Sequence, residues 1–146
     1  MKPDTPKRVL VIDDDEIARE LLIQELEKSG FEVLSLPSAI GASRLIQTRE
    51  VDAVVLDVVM PAMSGDKLAT LLRHNPRFSK LAVVLVSGED QMELKRLAAS
   101  VGADAVVNKK EIRQLLAATV RSALGKRSPP GGAGPGSRDP AVDSTS

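Results

Sequence analysis

Short apolar runs alternate with amphipathic stretches along most of the chain. The apolar runs are rich in Val and Leu and show no apolar–polar alternation, which is typical of parallel strands covered on both faces. We predict five strands, at Val9–Ile12, Glu32–Leu36, Ala53–Leu56, Leu81–Val86 and Ala105–Val107.

The intervening stretches repeat apolar residues every three or four positions, as one face of a helix does. The predicted buried faces comprise Ala18, Leu21, Leu22 and Leu26; Leu68, Leu71 and Leu72; Leu94, Leu97, Ala98 and Val101; and Ile112, Leu115, Leu116 and Val120. A weaker pattern predicts a further helix over Ser38–Gln47. Gly30 and Gly102 stand between a helix and a strand, where a left-handed cap is favoured. Five βα units predict a three-layer α/β domain, a doubly wound parallel sheet with right-handed crossovers.

The composition changes after Leu124. The last stretch, GKRSPPGGAGPGSRDPAVDSTS, holds half of the ten glycines and almost no apolar residue. Such a segment buries too little surface to offset the entropy lost on ordering. We therefore predict a short N-terminal lead over residues 1–7, one folded domain over residues 8–124 and a disordered tail over residues 125–146.

Composition also limits the function classes. Lys and Arg number 20 against 20 Asp and Glu, so no overall field attracts nucleic acid or an anionic membrane. With no Trp or Tyr and two Phe, the chain lacks base-stacking platforms. The absence of Cys excludes disulfides and thiol catalysis, and the longest apolar run is far too short to span a bilayer. We expect a soluble cytoplasmic protein without a nucleic-acid partner and without membrane insertion.

Polar side chains follow the predicted strands at their carboxyl ends, the edge where open parallel α/β sheets bind ligands. Asp13 and Asp14 follow the first strand, Asp57 the third, Ser87 the fourth and Lys109 the fifth. Each has an ordinary alternative when taken alone, since Ser87 can cap a helix and Lys109 can be a solvated loop residue. Because four separate strands end in complementary groups, we interpret them as one site.

The acidic part of this site favours a divalent cation. Three consecutive aspartates, Asp13 to Asp15, repel one another unless positive charge lies nearby. Carboxylate oxygens suit Mg²⁺, which takes about six oxygen ligands at about 2.1 Å. A carboxylate beside such an ion can attack phosphorus, while a hydroxyl and a lysine hold the transferred oxygens. The pattern therefore indicates a Mg²⁺ site with phosphoryl chemistry.

Four motifs in the chain resemble the receiver domain of two-component response regulators. They are VLVIDDD, VVLDVVMPAMSG, VVLVSGED and GADAVVNK, and the resemblance extends from Arg8 to about Leu124. The D-x-x-M-P-x-M-x-G run from Asp57 to Gly65 is the most specific of them. The resemblance implies a flavodoxin-like sheet with strand order 2-1-3-4-5. It also implies that the chain is not an enzyme beyond its own phosphorylation and slow dephosphorylation.

The resemblance assigns a role to each acid of the site. Asp57 would be the phosphoacceptor, taking the group from a sensor histidine kinase or a histidine phosphotransfer protein. Asp13 and Asp14, with Asp57 and the backbone carbonyl of Val59, would hold Mg²⁺. Asp15 lies one position past the metal pair and is expected to cap the first helix.

The same resemblance assigns the remaining groups and the output surface. Ser87 would hydrogen-bond the acyl phosphate, and Lys109 would pair with it. A downstream protein partner of unknown identity would bind the face formed by helix 4, strand 5 and helix 5. Two positions depart from the family pattern: Lys110 stands where proline is usual, and Val106 stands where the family carries an aromatic switch residue. Coupling to the output face would then run through loop movement or a smaller packing change.

Three functions fit these residues. The first is a single-domain response regulator that accepts a phosphoryl group on Asp57 and signals by protein–protein contact. The second is a receiver-fold scaffold that acts without phosphorylation, which Val106 and Lys110 favour. The third is a Mg²⁺-dependent aspartyl phosphohydrolase. Such enzymes carry an acid two positions after the nucleophile, where Val59 stands after Asp57, although Asp13 and Asp15 have that spacing.

Overall fold

Five strands alternate with five helices in the computed structural model, which describes residues 5–59 and 64–127. The elements in chain order are β1 (Arg8–Ile12), α1 (Glu16–Lys28), β2 (Glu32–Leu36), α2 (Ala42–Thr48), β3 (Ala53–Asp57), α3 (Gly65–Arg73), β4 (Ala82–Ser87), α4 (Gln91–Val101), β5 (Ala105–Asn108) and α5 (Ile112–Arg127). Short 3₁₀ turns at Pro76–Phe78 and Lys109–Glu111 follow α3 and β5. The predicted α/β class is confirmed.

The strands form one parallel sheet in the order β2-β1-β3-β4-β5. This order is the doubly wound arrangement that the motifs implied. The chain reverses direction along the sheet between β1 and β3, and this change of direction opens a crevice outside the carboxyl ends of those strands. The fold therefore provides a ligand site between β1 and β3.

Strands β3 and β4, and β1 from Val9 onward, bury both of their faces, because successive side chains point to opposite sides of the sheet. The edge strands β2 and β5 are mostly only partly buried. One side packs against α1 and α5, and its core includes Val9, Val11, Leu22, Leu26, Val55, Val84, Leu116 and Val120. The other side packs against α2, α3 and α4, and its core includes Leu10, Ile12, Ile46, Val54, Leu56, Leu68, Leu72 and Leu85. The continuous apolar runs of the sequence arise from these two cores.

Some element boundaries differ from the sequence prediction. The helix predicted from Ser38 begins only at Ala42, because Gly41 adopts a left-handed φ of 81° directly before it. β4 is displaced by one residue and ends on Ser87. The cap prediction for Gly30 and Gly102 is confirmed by their φ angles of 93° and 78°.

Two helix positions predicted to be buried face solvent instead. Leu71 on α3 is 57% exposed, and Leu115 on α5 is 43% exposed. Both lie at the margin of their helix's apolar stripe, where a position predicted from spacing alone can turn away from the sheet. The neighbours Leu72 and Leu116 are buried as predicted.

Helix α5 continues to Arg127, three residues past the domain boundary predicted at Leu124. Its last residue forms a pair of contacts with the buried carboxylate of Asp104, in which Arg127 Nη2 and Nε lie 2.7 and 2.9 Å from Oδ1. This ion pair keeps Gly125 to Arg127 in the helix despite their polar composition. The predicted disorder of the remaining tail, residues 128–146, lies outside the described residues, as do residues 1–4 of the lead.

No helix in the described ranges is both long and apolar enough to cross a membrane.

Candidate functional site

The carboxyl ends of β1 and β3 bring the predicted acids together. Ile12 of β1 pairs with Leu56 of β3, so Asp13 and Asp57 come next on adjacent strands. Asp13 and Asp57 are buried and Asp14 is exposed, and carboxylate oxygens of the three lie within 4.8 Å of one another. The structure therefore assembles the predicted acidic cluster at the crevice.

Asp13 has one carboxylate oxygen bonded and one without a partner. Oδ1 accepts the backbone N–H of Asp15 at 2.9 Å. Oδ2 is buried and finds no hydrogen-bond donor among the residues that the structure describes. A buried carboxylate oxygen without a donor is costly, and a bound cation satisfies it. This oxygen is the observation that best fits the donor set to a divalent metal.

Asp15 is outside this cluster and caps the helix, as predicted. Its Oδ2 accepts the backbone N–H of Ala18 at 3.1 Å, at the N-terminus of α1. Arg19, one turn further along the helix, donates from Nη1 to the backbone carbonyl of Asp13 at 2.7 Å. Sequence reasoning did not identify Arg19, because its contact is with the main chain and depends on how α1 packs beside β1.

Within the described part of the chain, Lys109 brings the only positive charge that forms an ion pair with the carboxylates of Asp13 and Asp57. Its Nζ lies 3.6 Å from Asp57 Oδ1 and 3.9 Å from Asp13 Oδ2. Both separations exceed a good hydrogen bond, so the ammonium acts as a charge shared between two carboxylates. The structure therefore places the lysine that follows β5 beside the two buried acids.

Asp57 is held in an environment that opposes its ionisation. Burial and the charge of Asp13 raise the pKa of Asp57 from 3.8 to about 6, against the lowering effect of Lys109 and of the Val59 N–H. That N–H donates to Asp57 Oδ1 at 3.3 Å. Added positive charge would therefore favour the carboxylate form of Asp57.

Ser87 ends β4 and is buried beside this group of side chains. Its Oγ accepts the backbone N–H of Glu89 at 3.1 Å. The alternative that Ser87 caps α4 is wrong, because Asp90 is the N-cap and accepts the N–H of Met92 at 3.1 Å. The hydroxyl proton of Ser87 is left for another acceptor.

Gly65, which closes the second motif, VVLDVVMPAMSG, is explained by a close approach of backbones. A Cβ at Gly65 would overlap the carbonyl oxygen of Asp57, and the N–H of Gly65 donates to the carbonyl of Val58 at 3.0 Å. Glycine thus lets α3 start against the end of β3. Val59 is 65% exposed at the rim of the crevice. Met60, Pro61 and Met63 of the same motif lie outside the described residues.

The two departures from the family pattern lie in β5 and the loop after it. Val106 is partly buried and packs against the core on the α2–α4 side of the sheet. Lys110 is exposed, and its backbone N–H donates to Asn108 Oδ1 at 2.9 Å. Asn108 was not predicted as a site residue, although an asparagine directly before a turn is a recognisable signal for a side chain that bonds the backbone.

Comparison with known proteins supports the family resemblance. The family described as "Response regulator receiver domain" matches residues 9–121. Response regulator MprA of Mycobacterium sp. (strain KMS) is 32% identical over 124 residues, which cover 85% of this chain and 53% of that protein. The chain therefore spans about half the length of the curated relatives that it matches.

Solved structures agree with this match. A sensor protein from Polaromonas sp. JS666 superposes with a TM-score of 0.75 at 28% identity, covering 85% of this chain and 100% of that one. A CheY-like response regulator receiver domain protein from Methanospirillum hungatei JF-1 has a TM-score of 0.72 at 25% identity, covering 84% and 97%. Fold, motif positions and sequence all agree: the chain belongs to the response regulator receiver domain family of two-component signalling.

Proposed function

We propose that this chain acts in the cytoplasm and accepts a phosphoryl group on Asp57, in a reaction that requires Mg²⁺. The donor is a sensor histidine kinase or a histidine phosphotransfer protein, and the output is contact with a downstream protein. The observation that carries the proposal is the buried Oδ2 of Asp13, which accepts no hydrogen bond from the described residues and lies 3.9 Å from Lys109 Nζ, beside Asp57. A buried carboxylate oxygen that accepts no hydrogen bond from the protein can coordinate a cation.

The donor set fits the metal. Asp13, Asp14 and Asp57 would hold Mg²⁺ through carboxylate oxygens, and the backbone carbonyl of Val59 is proposed as a further ligand. When bound, the ion would neutralise negative charge on the phosphoryl oxygens and on the acids themselves. The proposed set is the one expected from the sequence.

The chain's own residues supply the nucleophile and two of the phosphoryl contacts. A carboxylate oxygen of Asp57 forms the new bond to phosphorus as the bond from phosphorus to the donor's imidazole nitrogen breaks, and the electron pair leaves with that nitrogen. Lys109, 3.6 Å from Asp57 Oδ1, is placed to attract the phosphoryl oxygens. Ser87 donates its hydroxyl proton to one of them while its Oγ still accepts the Glu89 N–H.

Mass spectrometry of the intact chain after incubation with acetyl phosphate and Mg²⁺ tests this proposal. We expect the wild type to gain the mass of one phosphoryl group and Asp57→Asn to gain none. Asp66→Asn, on the first turn of α3, is the matched control and should be modified like the wild type. Modification that persists in Asp57→Asn, or that does not need Mg²⁺, contradicts the proposal.

A scaffold that acts without phosphorylation is the second candidate, because Val106 has no ring to report a change at Ser87 to the output face. The same mass measurement separates the two functions, since a scaffold of this kind needs no phosphoryl group on Asp57. Such a scaffold would bind its partner equally well as wild type and as Asp57→Asn. The phosphohydrolase alternative loses support because Asp15, the acid with the required spacing from Asp13, is occupied as the cap of α1. Absence of turnover of a small phosphoester would complete its rejection.

A further inference from the structure

Asn108 is the last residue of β5 and directly precedes Lys109. In the sheet it pairs with Ser87, the last residue of β4. These two strand ends lead into different loops. The β4–α4 loop begins after Ser87, and the β5–α5 loop contains Lys109. The side chain of Asn108 lies where it can contact both.

Both groups of the Asn108 amide are engaged, each with a different loop. Oδ1 accepts the backbone N–H of Lys110 at 2.9 Å and closes the 3₁₀ turn over Lys109–Glu111. Nδ2 donates to the backbone carbonyl of Glu89 at 2.9 Å, in the loop between β4 and α4. An asparagine can do both because it has an acceptor and a donor on one rigid amide. We call this pair of bonds the Asn108 bridge.

The bridge reaches Ser87 through one further hydrogen bond. The N–H of Glu89 donates to Ser87 Oγ at 3.1 Å, while the carbonyl of the same residue accepts from Asn108. The Glu89 backbone is therefore held on both sides. Because Glu89 is exposed and α4 begins only after Asp90, hydrogen bonds rather than packing hold this part of the loop.

The bridge also gives a physical role to the residue after Lys109. The bond from position 110 to Asn108 needs a backbone N–H, which proline lacks. This chain combines an asparagine at 108 with a non-proline residue at 110, and it has valine at 106. A link between the β4–α4 and β5–α5 loops is thus present without an aromatic ring.

We propose that Asn108 is a positioning residue for phosphorylation of Asp57, because its bridge holds Ser87 and Lys109 in one joint arrangement. This inference rests on the proposed function. With the bridge intact, the hydroxyl and the ammonium are presented together to the phosphoryl group. Without it, the two loops move independently, the joint arrangement is populated less of the time, and transfer is slower.

Asn108→Ser is the variant that tests the bridge. A serine hydroxyl at this position can still accept the Lys110 N–H and keep the turn, but it is too short to reach Glu89. Asn75→Ser is the matched control, because Asn75 Oδ1 accepts the N–H of Arg77 at 2.9 Å and starts the other 3₁₀ turn, after α3. Both variants thus change the same local motif at different ends of the sheet.

Amide hydrogen exchange of the unphosphorylated protein is the first measurement. We expect the Glu89 amide to exchange about threefold to tenfold faster in Asn108→Ser and at the wild-type rate in Asn75→Ser. Unchanged exchange at Glu89 in Asn108→Ser would overturn the bridge. This readout needs no phosphorylation, so it decides the bridge even if the proposed function fails.

The initial rate of Asp57 phosphorylation by acetyl phosphate is the second measurement. We expect Asn108→Ser to be slower by about threefold to tenfold, with Asn75→Ser unaffected. In a Ser87→Ala background the effect of Asn108→Ser should shrink, because one end of the coupled pair is already gone. An equal slowing in both backgrounds would show a merely structural role and refute positioning. A wild type that takes no phosphoryl group contradicts the proposed function instead.

Discussion

Asp57 is buried, yet the proposed phosphoryl transfer would use its ionised form. Its neighbours act in opposite directions, since burial and Asp13 favour the protonated form while Lys109 and the Val59 N–H favour the carboxylate. The net result is a carboxyl whose pKa is raised to about 6. The pKa of Asp57 therefore depends on the charges of the other groups in the crevice.

The pKa of Asp57 predicts how its replacement changes stability with pH. A raised pKa in the folded state means that ionised Asp57 destabilises the fold, an effect absent below pH 3.8 and complete above about pH 6. In EDTA, Asp57→Asn should match the wild type near pH 4 and exceed its free energy of unfolding by about 2–3 kcal/mol at pH 7. Urea unfolding across this range checks it, with Asp66→Asn as the control. A difference that does not change with pH would be incompatible with the raised pKa.

Val59 lies two residues after Asp57, and its backbone N–H donates to Asp57 Oδ1. It is 65% exposed at the rim and has no group that can hold a water molecule, so we expect the phosphorylated form to hydrolyse slowly. Val59→Asn should shorten the phosphoryl half-life by about threefold, as followed by intact mass after removal of the donor. Ile40→Asn, which changes another exposed apolar residue, in the segment after β2, should leave the half-life unchanged. Equal half-lives for Val59→Asn and the wild type would contradict this role.

Side-chain contacts also join elements at the end of the sheet opposite the acids. There the end of α5 is attached to the segment before β5, because Arg127 and Arg73 both approach the carboxylate of Asp104. Asp104 also accepts the N–H of Val83 at 2.9 Å and so connects β5 with β4. The last helical turn belongs to the folded domain because of this cluster.

Removal of the Arg127 guanidinium should loosen that end of the helix. Arg127→Gln takes away one charge-assisted hydrogen bond and a second ion-pair contact from a carboxylate that is almost fully buried, although Arg73 remains 3.8 Å away. We expect a loss of about 1–2 kcal/mol in the free energy of unfolding, measured with urea. Arg113→Gln, on an exposed position of the same helix, should cost much less. Equal losses in both variants would mean that the ion pair contributes nothing specific.

Element types were predictable from the sequence, and their exact ends were not. The three central strands follow from apolar runs because burial on both faces leaves almost no polar residue inside them, whereas β2 contains the exposed Ser35. The start of α2 depends on the left-handed backbone of Gly41, and the end of α5 on a contact between residues 104 and 127. Neither the backbone angle nor the long-range contact is encoded in local periodicity. The Asn108 bridge escaped prediction for the same reason, since Glu89 lies on another loop.

At the scale of the whole molecule, the parallel sheet brings four separate strand ends together at one site. The sequence identifies the chemical types of the site residues because each of them ends a strand or follows one within two positions. These residues are Asp13, Asp14, Asp57, Ser87 and Lys109. The distances among these residues could not be derived without the register of β1 against β3. The same is true of the lack of a hydrogen bond to Asp13 Oδ2 within the described residues. The proposed cation binding would therefore depend on the assembled fold and should stabilise it.

Thermal unfolding with and without Mg²⁺ measures this linkage. At a Mg²⁺ concentration about tenfold above Kd, binding adds about 1.4 kcal/mol, which corresponds to a rise in Tm of about 4–7 °C for a domain of this size. The rise should be lost in Asp13→Asn and retained in Asp66→Asn. A wild-type Tm that does not change with Mg²⁺, or an equal rise in Asp13→Asn, would contradict the proposed Mg²⁺ site.

The direction of α5 has a practical consequence for how this protein can be handled. Arg127, at the end of α5, contacts the segment before β5. Arg8 begins β1 at the same end of the sheet, the amino end of the strands, so both ends of the described domain lie away from the crevice. A surface tether attached through either end should leave the acids facing the solution. Immobilised protein could then be probed with a kinase or a phosphodonor without obstruction by its own linker.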